Sequence, residues 1–534
     1  MNLFVPVSSV LESENRLLDR AEDAGPVIKA ILSAIASRRG ASGALQTCYD
    51  LIAGKCDEKI RRALLRLSPQ WRDHAIASVY ATLMPGDRRK KLGAYFTPPH
   101  LVDHLIFRLQ EFGLDLSNDR FRDPAAGGAA FLVPLARHKA RIWREKNIKD
   151  ERIVQLLTDH LEGCEVDAGL AQLANSLLRR MLSSEFSIAE ELVESLEIVK
   201  TEDSLEDNSM SSTHIVHEIG NPPYFRLPRA AVPDQQARFG DISSGRLNLY
   251  AMFVRKGLDR IPAGGLAGYV IPTSFLGGPE FRRFRSRVNE LAEVLVIDLI
   301  DKRSDVFLDA TQDACFIVLR RRSSEVISVE TTEAKSGLLA SNGIFTERGK
   351  ATIYAGGEPW WLPGEETQSH ATLADWGYTA TIGYLVANRQ SERLHKTGGA
   401  GRFPLIWAKA VTPTGEFDFL RGVVQKGFGW VDAPSEARYV VKSECIAIQR
   451  TSSRGQKRRV TAALIPKDFV EMNGGVVAEN HVILLIPNRE HPESASNLVQ
   501  ALNSAAVSDQ LDRICGSASI SVRLLEKLKI SKAQ

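Results

Sequence analysis

Phe121-Arg122-Asp123-Pro124-Ala125-Ala126-Gly127-Gly128-Ala129-Ala130-Phe131 joins a short apolar run to a stretch of helical spacing. Small residues in such a connection let the backbone come close to a ligand, and an acid at the end of the preceding strand can accept hydrogen bonds from a cationic amine. Taken alone, the segment reads equally well as a glycine-rich turn with no ligand. Around it the chain alternates between helical segments and short apolar runs at 120–122, 161–166, 197–200, 215–219, 267–271, 294–299 and 314–319. Seven candidate strands with helices between the early ones predict an open α/β sheet. The last two pair antiparallel, because little but loop lies between them.

Two further strands end in acids. Gly163-Cys164-Glu165-Val166-Asp167 closes the second run and Thr201-Glu202-Asp203-Ser204-Leu205 follows the third. Glu165 stands where a carboxylate can take both hydroxyls of a ribose. Asp167 suits the cap of a helix beginning at Ala168. Asp203 is placed to accept from an adenine amino group, with an exposed loop acid as the plain alternative. Three acids ending three successive strands carry more weight than any one of them.

The fourth run, Ile215-Val216-His217-Glu218-Ile219-Gly220, leads straight into Asn221-Pro222-Pro223-Tyr224-Phe225. Two prolines stiffen the backbone and leave carbonyls without competing amides. An exocyclic amine on a base is a poor nucleophile because its lone pair is delocalised into the ring. Acceptors on both amine hydrogens favour the localised, pyramidal form. The Asn221 side-chain oxygen and the Pro222 main-chain oxygen can supply that pair, and Tyr224 can stack on the base. A proline-stiffened turn with an incidental aromatic is the alternative.

The chain has 534 residues, 44% apolar and 25% charged, with a net charge of +3. That length predicts two or three domains, and the near-neutral charge requires any nucleic-acid surface to be local. Six scattered cysteines form no CxxC pair, which argues against a zinc ribbon or a disulfide scaffold. No run approaches the length of a membrane span, and a soluble, cytoplasmic protein is expected. Residues 1–85 read as helical, with Ile28, Ile31, Leu32 and Ile35 on one stripe. A basic run from Arg88 to Lys91 leads into Gly93-Ala94-Tyr95-Phe96-Thr97-Pro98-Pro99. Beyond 325 the sequence turns aromatic-rich and turn-rich, so the expected domains are 1–85, 86–325 and 326–534. Its clearest basic cluster is Arg450-Thr451-Ser452-Ser453-Arg454-Gly455-Gln456-Lys457-Arg458-Arg459. Arg454, Lys457, Arg458 and Arg459 can follow phosphates, unless the run is only a solvated loop.

In order and spacing, Tyr95 to Pro98, Asp123 to Phe131, Glu165, Asp203 and Asn221 to Tyr224 resemble the gamma-class N6-adenine DNA methyltransferases of bacterial restriction-modification systems. The resemblance covers roughly residues 85–325. It implies a Rossmann-like class I methyltransferase domain with a seven-stranded mixed sheet, a helical N-terminal segment and a C-terminal α+β target recognition domain. It also implies S-adenosyl-L-methionine as cofactor. Tyr95 and Thr97 would hold its methionine end and Asp123 its amino group, with Ala125 and Gly127 in the loop. Glu165 would take the ribose and Asp203 the adenine. Asn221, Pro222 and Tyr224 would act on an adenine rotated out of the duplex, held also by Phe307 in Asp305-Val306-Phe307-Leu308-Asp309; Phe307 as a core anchor is the alternative. Double-stranded DNA is the implied partner, a separate restriction endonuclease is allowed, and both monomer and dimer stay open.

One departure stands out. Relatives read Asp-Pro-Ala-Cys-Gly-Ser-Gly where this chain has Ala126 and Gly128 at the cysteine and serine positions. Loss of the hydroxyl would weaken cofactor binding and keeps a catalytically degenerate DNA-binding subunit in play. Asn-Pro-Pro-Tyr also serves protein glutamine and RNA base amino groups in related enzymes. A cytosine amino-methyltransferase is a smaller rival.

Overall fold

Strand β1 (Phe121–Asp123) is buried along its whole length, as a strand flanked on both sides and covered on both faces must be. In the computed structural model it pairs in parallel with β2 (Leu161–Glu165) on one side and β4 (His217–Gly220) on the other. Strand β3 (Val199–Thr201) lies beyond β2, and β5 (Leu266–Pro272) beyond β4. Strand β7 (Ala314–Arg321) then enters antiparallel between β5 and β6 (Ala292–Ile300). The order β3-β2-β1-β4-β5-β7-β6 contains all seven strands expected from the sequence, including the antiparallel last pair. The structure describes residues 17–37, 43–86, 88–89, 96–206, 215–228, 232–243, 245–246, 248–301, 313–324, 330–364, 371–452, 458–489, 492–514 and 519–532.

The described part of the N-terminal segment is helical, as its periodicity predicts. It forms α1 (Ala21–Ala36), α2 (Ala44–Ile52), α3 (Glu58–Arg66) and α4 (Pro69–Leu83). Ile28, Ile31, Leu32 and Ile35 are all buried on α1. These helices do not form a separate core: Ile31, Trp71 and Ala77 share one apolar cluster with Leu105, Leu132 and Leu177. Helix α5 (Pro99–Glu111) follows and is fixed to the sheet by polar contacts. His104 Nε2 lies 2.8 Å, and Arg108 Nε 2.6 Å, from the fully buried carboxylate of Asp298 on β6. Between β1 and β2 run α6 (Leu132–Glu145) and α7 (Asp150–His160), and α8 (Ala168–Phe186) leads from β2 toward β3. Asp167 caps α8 by accepting from the Leu170 amide at 3.0 Å, the role its position predicts.

The sheet continues past the expected boundary at 325. Strand β8 (Thr332–Leu339) joins β6 in parallel, and β9 (Phe345–Ile353) folds back on β8 as a hairpin. The exposed Glu347, Arg348 and Lys350 of β9 charge the sheet's edge, a common guard against edge pairing. The first compact unit therefore runs to Glu358, without residues 274–279, which belong to the second.

The second unit, which holds 359–534, contains two four-stranded sheets. One has the order β10 (Tyr378–Ile382), β17 (Val482–Pro487), β14 (Cys445–Gln449), β15 (Ala462–Ile465). The other has β11 (Leu394–His395), β13 (Trp430–Asp432), β12 (Arg402–Ile406), β16 (Val477–Ala478). Helices Ala495–Leu502, Ala505–Ile514 and Val522–Lys527 pack on the first of these through Leu498, Leu511 and Leu525. Among the described residues no helix is long and apolar enough to cross a membrane.

Candidate functional site

The carboxyl ends of β1 and β4 abut. A Cβ on Gly220, the last residue of β4, would stand 2.9 Å from Asp123 Oδ1, so glycine is needed where the two strand ends meet. Asp123 is 1% exposed. Its Oδ1 accepts from the Ala125 amide at 3.1 Å, while its Oδ2 is buried and has no partner among the described residues. Burial, reinforced by the nearby Glu218 and Glu165 carboxylates, pushes its pKa well up despite the Ala125 bond. A carboxyl in this state gains strongly from an incoming cation, which supplies the missing partner and favours the ionised form.

The loop after β1 is built to be held from outside. Gly127 lies at φ +51° and its amide donates to Glu165 Oε2 at 2.9 Å. Glu165 Oε1 accepts from the Asp167 amide, also at 2.9 Å. Burial pushes Glu165 up to about 7 against these bonds, and each of its oxygens keeps a lone pair for a further donor. Asp167 in turn accepts from the Tyr80 hydroxyl of α4 at 2.8 Å and from Arg88 at 2.6 Å. The N-terminal helices thus reach the strand end that carries Glu165.

They also account for the departure at 126 and 128. A Cβ on Gly128 would lie 2.7 Å from the Ala77 Cβ of α4, which leaves no room for a serine there. Ala126 is buried against Gly163, where a Cβ would already be 3.3 Å from its own methyl. Small side chains at both positions follow from close packing of α4 and β2 on the loop.

After β4, Asn221 Nδ2 donates to Thr97 Oγ1 at 3.0 Å, and Thr97 is itself buried. The Tyr224 hydroxyl lies 2.6 Å from Asn221 Oδ1 and 2.9 Å from the Val270 carbonyl. One hydroxyl proton serves only one of these acceptors at a time. The Tyr224 ring is half-buried and meets Tyr250 edge-on at 6.3 Å. Pro222 is buried. Thr97, Asn221 and Tyr224, 127 positions apart in sequence numbering from first to last, thus form one hydrogen-bonded group.

Asp203 is exposed and its Oδ1 accepts from the Leu205 amide at 2.9 Å. Tyr95, Phe307, Arg454 and Lys457 lie outside the described residues. Arg458 donates to the Thr414 carbonyl at 3.1 Å. Arg459, expected on a phosphate-facing loop, is 2% exposed and pairs with Asp512 at 3.0 Å, which puts it inside the second unit. Sequence reasoning missed Ala77 and Tyr80 of α4. Their only local signal is helical periodicity, which says nothing of the loop they meet.

Residues 171–307 match the Eco57I restriction-modification methylase family. The chain is 24% identical over 327 residues to the type II methyltransferase M.BsuBI of Bacillus subtilis, covering 59% of this chain and 64% of that one. It is 25% identical over 308 residues to the type II methyltransferase M.PaeR7I of Pseudomonas aeruginosa, covering 51% and 49%. The matches thus span less than two thirds of either relative. The fold resembles that of the type IIL restriction-modification enzyme MmeI, solved in complex with DNA, with a TM-score of 0.53 at 12% identity over 96% of this chain and 88% of that one. The resemblance to restriction-modification methyltransferases is borne out, as is the expected α/β fold with a mixed sheet.

Proposed function

We propose that the chain is a site-specific DNA methyltransferase that uses S-adenosyl-L-methionine to methylate the N6 amino group of an adenine rotated out of double-stranded DNA. It would serve as the modification part of a restriction-modification system in the cytoplasm. The observation that carries this reading is the junction of two strand ends: the buried, half-partnered carboxyl of Asp123 beside the Thr97–Asn221–Tyr224 group. The residues present fit the cofactor. Asp123 Oδ2 is an acceptor suited to an ammonium, and Glu165 can receive ribose hydroxyls beside the Gly127 amide it already holds. Asp203 is the candidate acceptor for the cofactor's adenine, and Tyr95 a further contact at the methionine end.

When bound, the cofactor supplies an electrophilic methyl group. The protein's own work is on the base. Thr97 fixes Asn221 so that Oδ1 faces away from the Thr97 hydroxyl. If the Tyr224 proton turns to Val270, Oδ1 becomes available to one hydrogen of the adenine amine, and the Pro222 carbonyl takes the other. The amine is drawn toward its pyramidal form, and its surplus proton leaves after methyl transfer, so no strong base is required. Tyr224 and Phe307 stack on the base. Arg454, Lys457 and Arg458 of the C-terminal unit are the proposed phosphate contacts.

Expression in a methylation-deficient bacterium, followed by single-molecule sequencing, tests this. The expected result is N6-methyladenine at one fixed motif, absent with Asn221→Ala. A genome left equally unmodified by both proteins rejects the proposal, and methylcytosine at a fixed motif rejects the adenine assignment alone.

A further inference from the structure

Arg137, in the second turn of α6, is 5% exposed and has an unfinished set of hydrogen bonds. Its Nε donates to Glu185 at 2.7 Å, and its Nη2 to Asp73 at 3.0 Å and to Glu185 at 2.9 Å. A guanidinium has five N–H groups. The two on Nη1 are buried and have no partner among the described residues, a state that calls for a ligand or another explanation.

This side chain lines a narrow, open cleft. The other polar walls are Gln70, Asp73 and His74 of α4 and Thr97, and part of its lining is Gly128 and Ala129 of the loop after β1. The nearby carboxylates do not leave the cleft negative. Asp73 is held by both Arg137 and Arg180, and Glu185 by Arg137, while Asp103 and Arg72 add one further carboxylate and one further guanidinium to the group, so three of each balance. Burial, with His100 adding to it, pushes the His74 imidazole down to about 3, so it is a neutral wall at physiological pH.

We infer that the cleft receives an oxyanion on Arg137 Nη1, and that this oxyanion is the carboxylate at the methionine end of S-adenosylmethionine. The inference rests on the cofactor proposed above. It adds that Arg137 is a binding residue and that helix α4 is a wall of the cofactor site. A DNA phosphate shares the required chemistry. The carboxylate is favoured because Thr97, Gly128 and Ala129 border the same space.

Calorimetry on the full chain separates the cases, using S-adenosylhomocysteine and 5′-methylthioadenosine, which lacks the amino-acid end. Arg137→Gln should weaken S-adenosylhomocysteine by roughly tenfold to a hundredfold, the worth of charged hydrogen bonds, and change 5′-methylthioadenosine by less than about twofold. Gln70→Glu, which puts a negative charge in the cleft without touching the Arg137 pairs, should act in the same selective direction and covers failure of Arg137→Gln to fold. Equal weakening of both ligands, or of neither, overturns the inference while leaving the cofactor reading intact. Unchanged S-adenosylhomocysteine with weakened binding of a short DNA duplex assigns the anion to phosphate and also overturns it. If neither nucleoside binds the unmodified protein, the cofactor reading itself fails.

Discussion

The loops after β1 and β4 end side by side but are held in opposite ways. The first, from Asp123 to Ala130, is gripped by its surroundings: Glu165 takes the Gly127 amide, Ala77 blocks any side chain at 128, and Ala126 fills the space over Gly163. The second, from Asn221 to Tyr224, is half-buried and hangs on a few exchangeable hydrogen bonds to Thr97 and Val270. A loop fixed by packing has one arrangement, whereas a loop fixed by polar contacts can trade one partner for another. The first arrangement suits a pocket for a cofactor used in every turnover. The second suits a group that must release an acceptor to a visiting base.

The sharpest way to break this division is Asn221→Ala. The expected outcome is loss of methylation by at least about 10²-fold to 10³-fold, the effect of removing a dipole aimed at a reacting centre. Binding of S-adenosylhomocysteine should stay within about twofold of normal by calorimetry. A comparable loss of cofactor binding would show that the loops are one site rather than two.

The packed loop makes a less obvious prediction. Gly128→Ser restores the residue that relatives carry, yet it should harm the protein, because the new Cβ would overlap Ala77. Overpacking of this kind costs about 1–3 kcal/mol, read as a lower melting temperature and weaker S-adenosylhomocysteine binding. Adding Ala77→Gly should recover part of the cofactor affinity. If Gly128→Ser instead tightens binding with no loss of stability, packing does not explain the departure.

This pair of positions also shows how far the sequence reaches. Strands β2 and β4 to β7 are legible as apolar runs between helical stretches, and β1 and β3 from the acids that close or follow them, Asp123 and Glu202. The residues Asp123, Glu165 and Asn221 were legible because strand ends at a parallel sheet's carboxyl edge are where ligands gather. The meeting of Ala77 with Gly128 was not, since it depends on how helices 50 positions upstream pack, and periodicity fixes a helix without fixing its neighbour. Strands β8 and β9 were missed for another reason: Phe345-Thr346-Glu347-Arg348-Gly349-Lys350 is an edge strand, too polar to read as one. The company of basic residues points Arg459 toward a phosphate, but its partner Asp512 lies 53 positions away in sequence and takes it inward.

A milder substitution probes the exchangeable loop. Tyr224→Phe keeps the ring for stacking and removes the hydroxyl that bridges Asn221 and Val270. The rate of methylation should fall by about tenfold, the worth of one hydrogen bond, with S-adenosylhomocysteine affinity unchanged. An unaltered rate would mean that the hydroxyl does not tune the availability of Asn221.

The smallest effect is expected from pH, and it separates the packed loop from its ligand. Glu165 is raised from 4.5 to about 7 by burial. A carboxyl with a raised folded pKa binds more protons folded than unfolded between those values, so its contribution to stability is present below 4.5 and is lost as pH rises through 7. The melting temperature of the free protein should therefore decline from pH 5 to 7.5 more than that of Glu165→Gln. Cofactor binding should run the other way, because ribose hydroxyls need the ionised acceptor. S-adenosylhomocysteine affinity should rise a few-fold, by roughly one proton's linkage at most, between pH 6 and 8, and the rise should flatten in Glu165→Gln. Asp123, also raised, adds to both trends, which is why the comparison is made against the Glu165 variant rather than against pH alone. Parallel slopes in the two proteins would remove Glu165 from the ribose role and leave it as a clamp on Gly127.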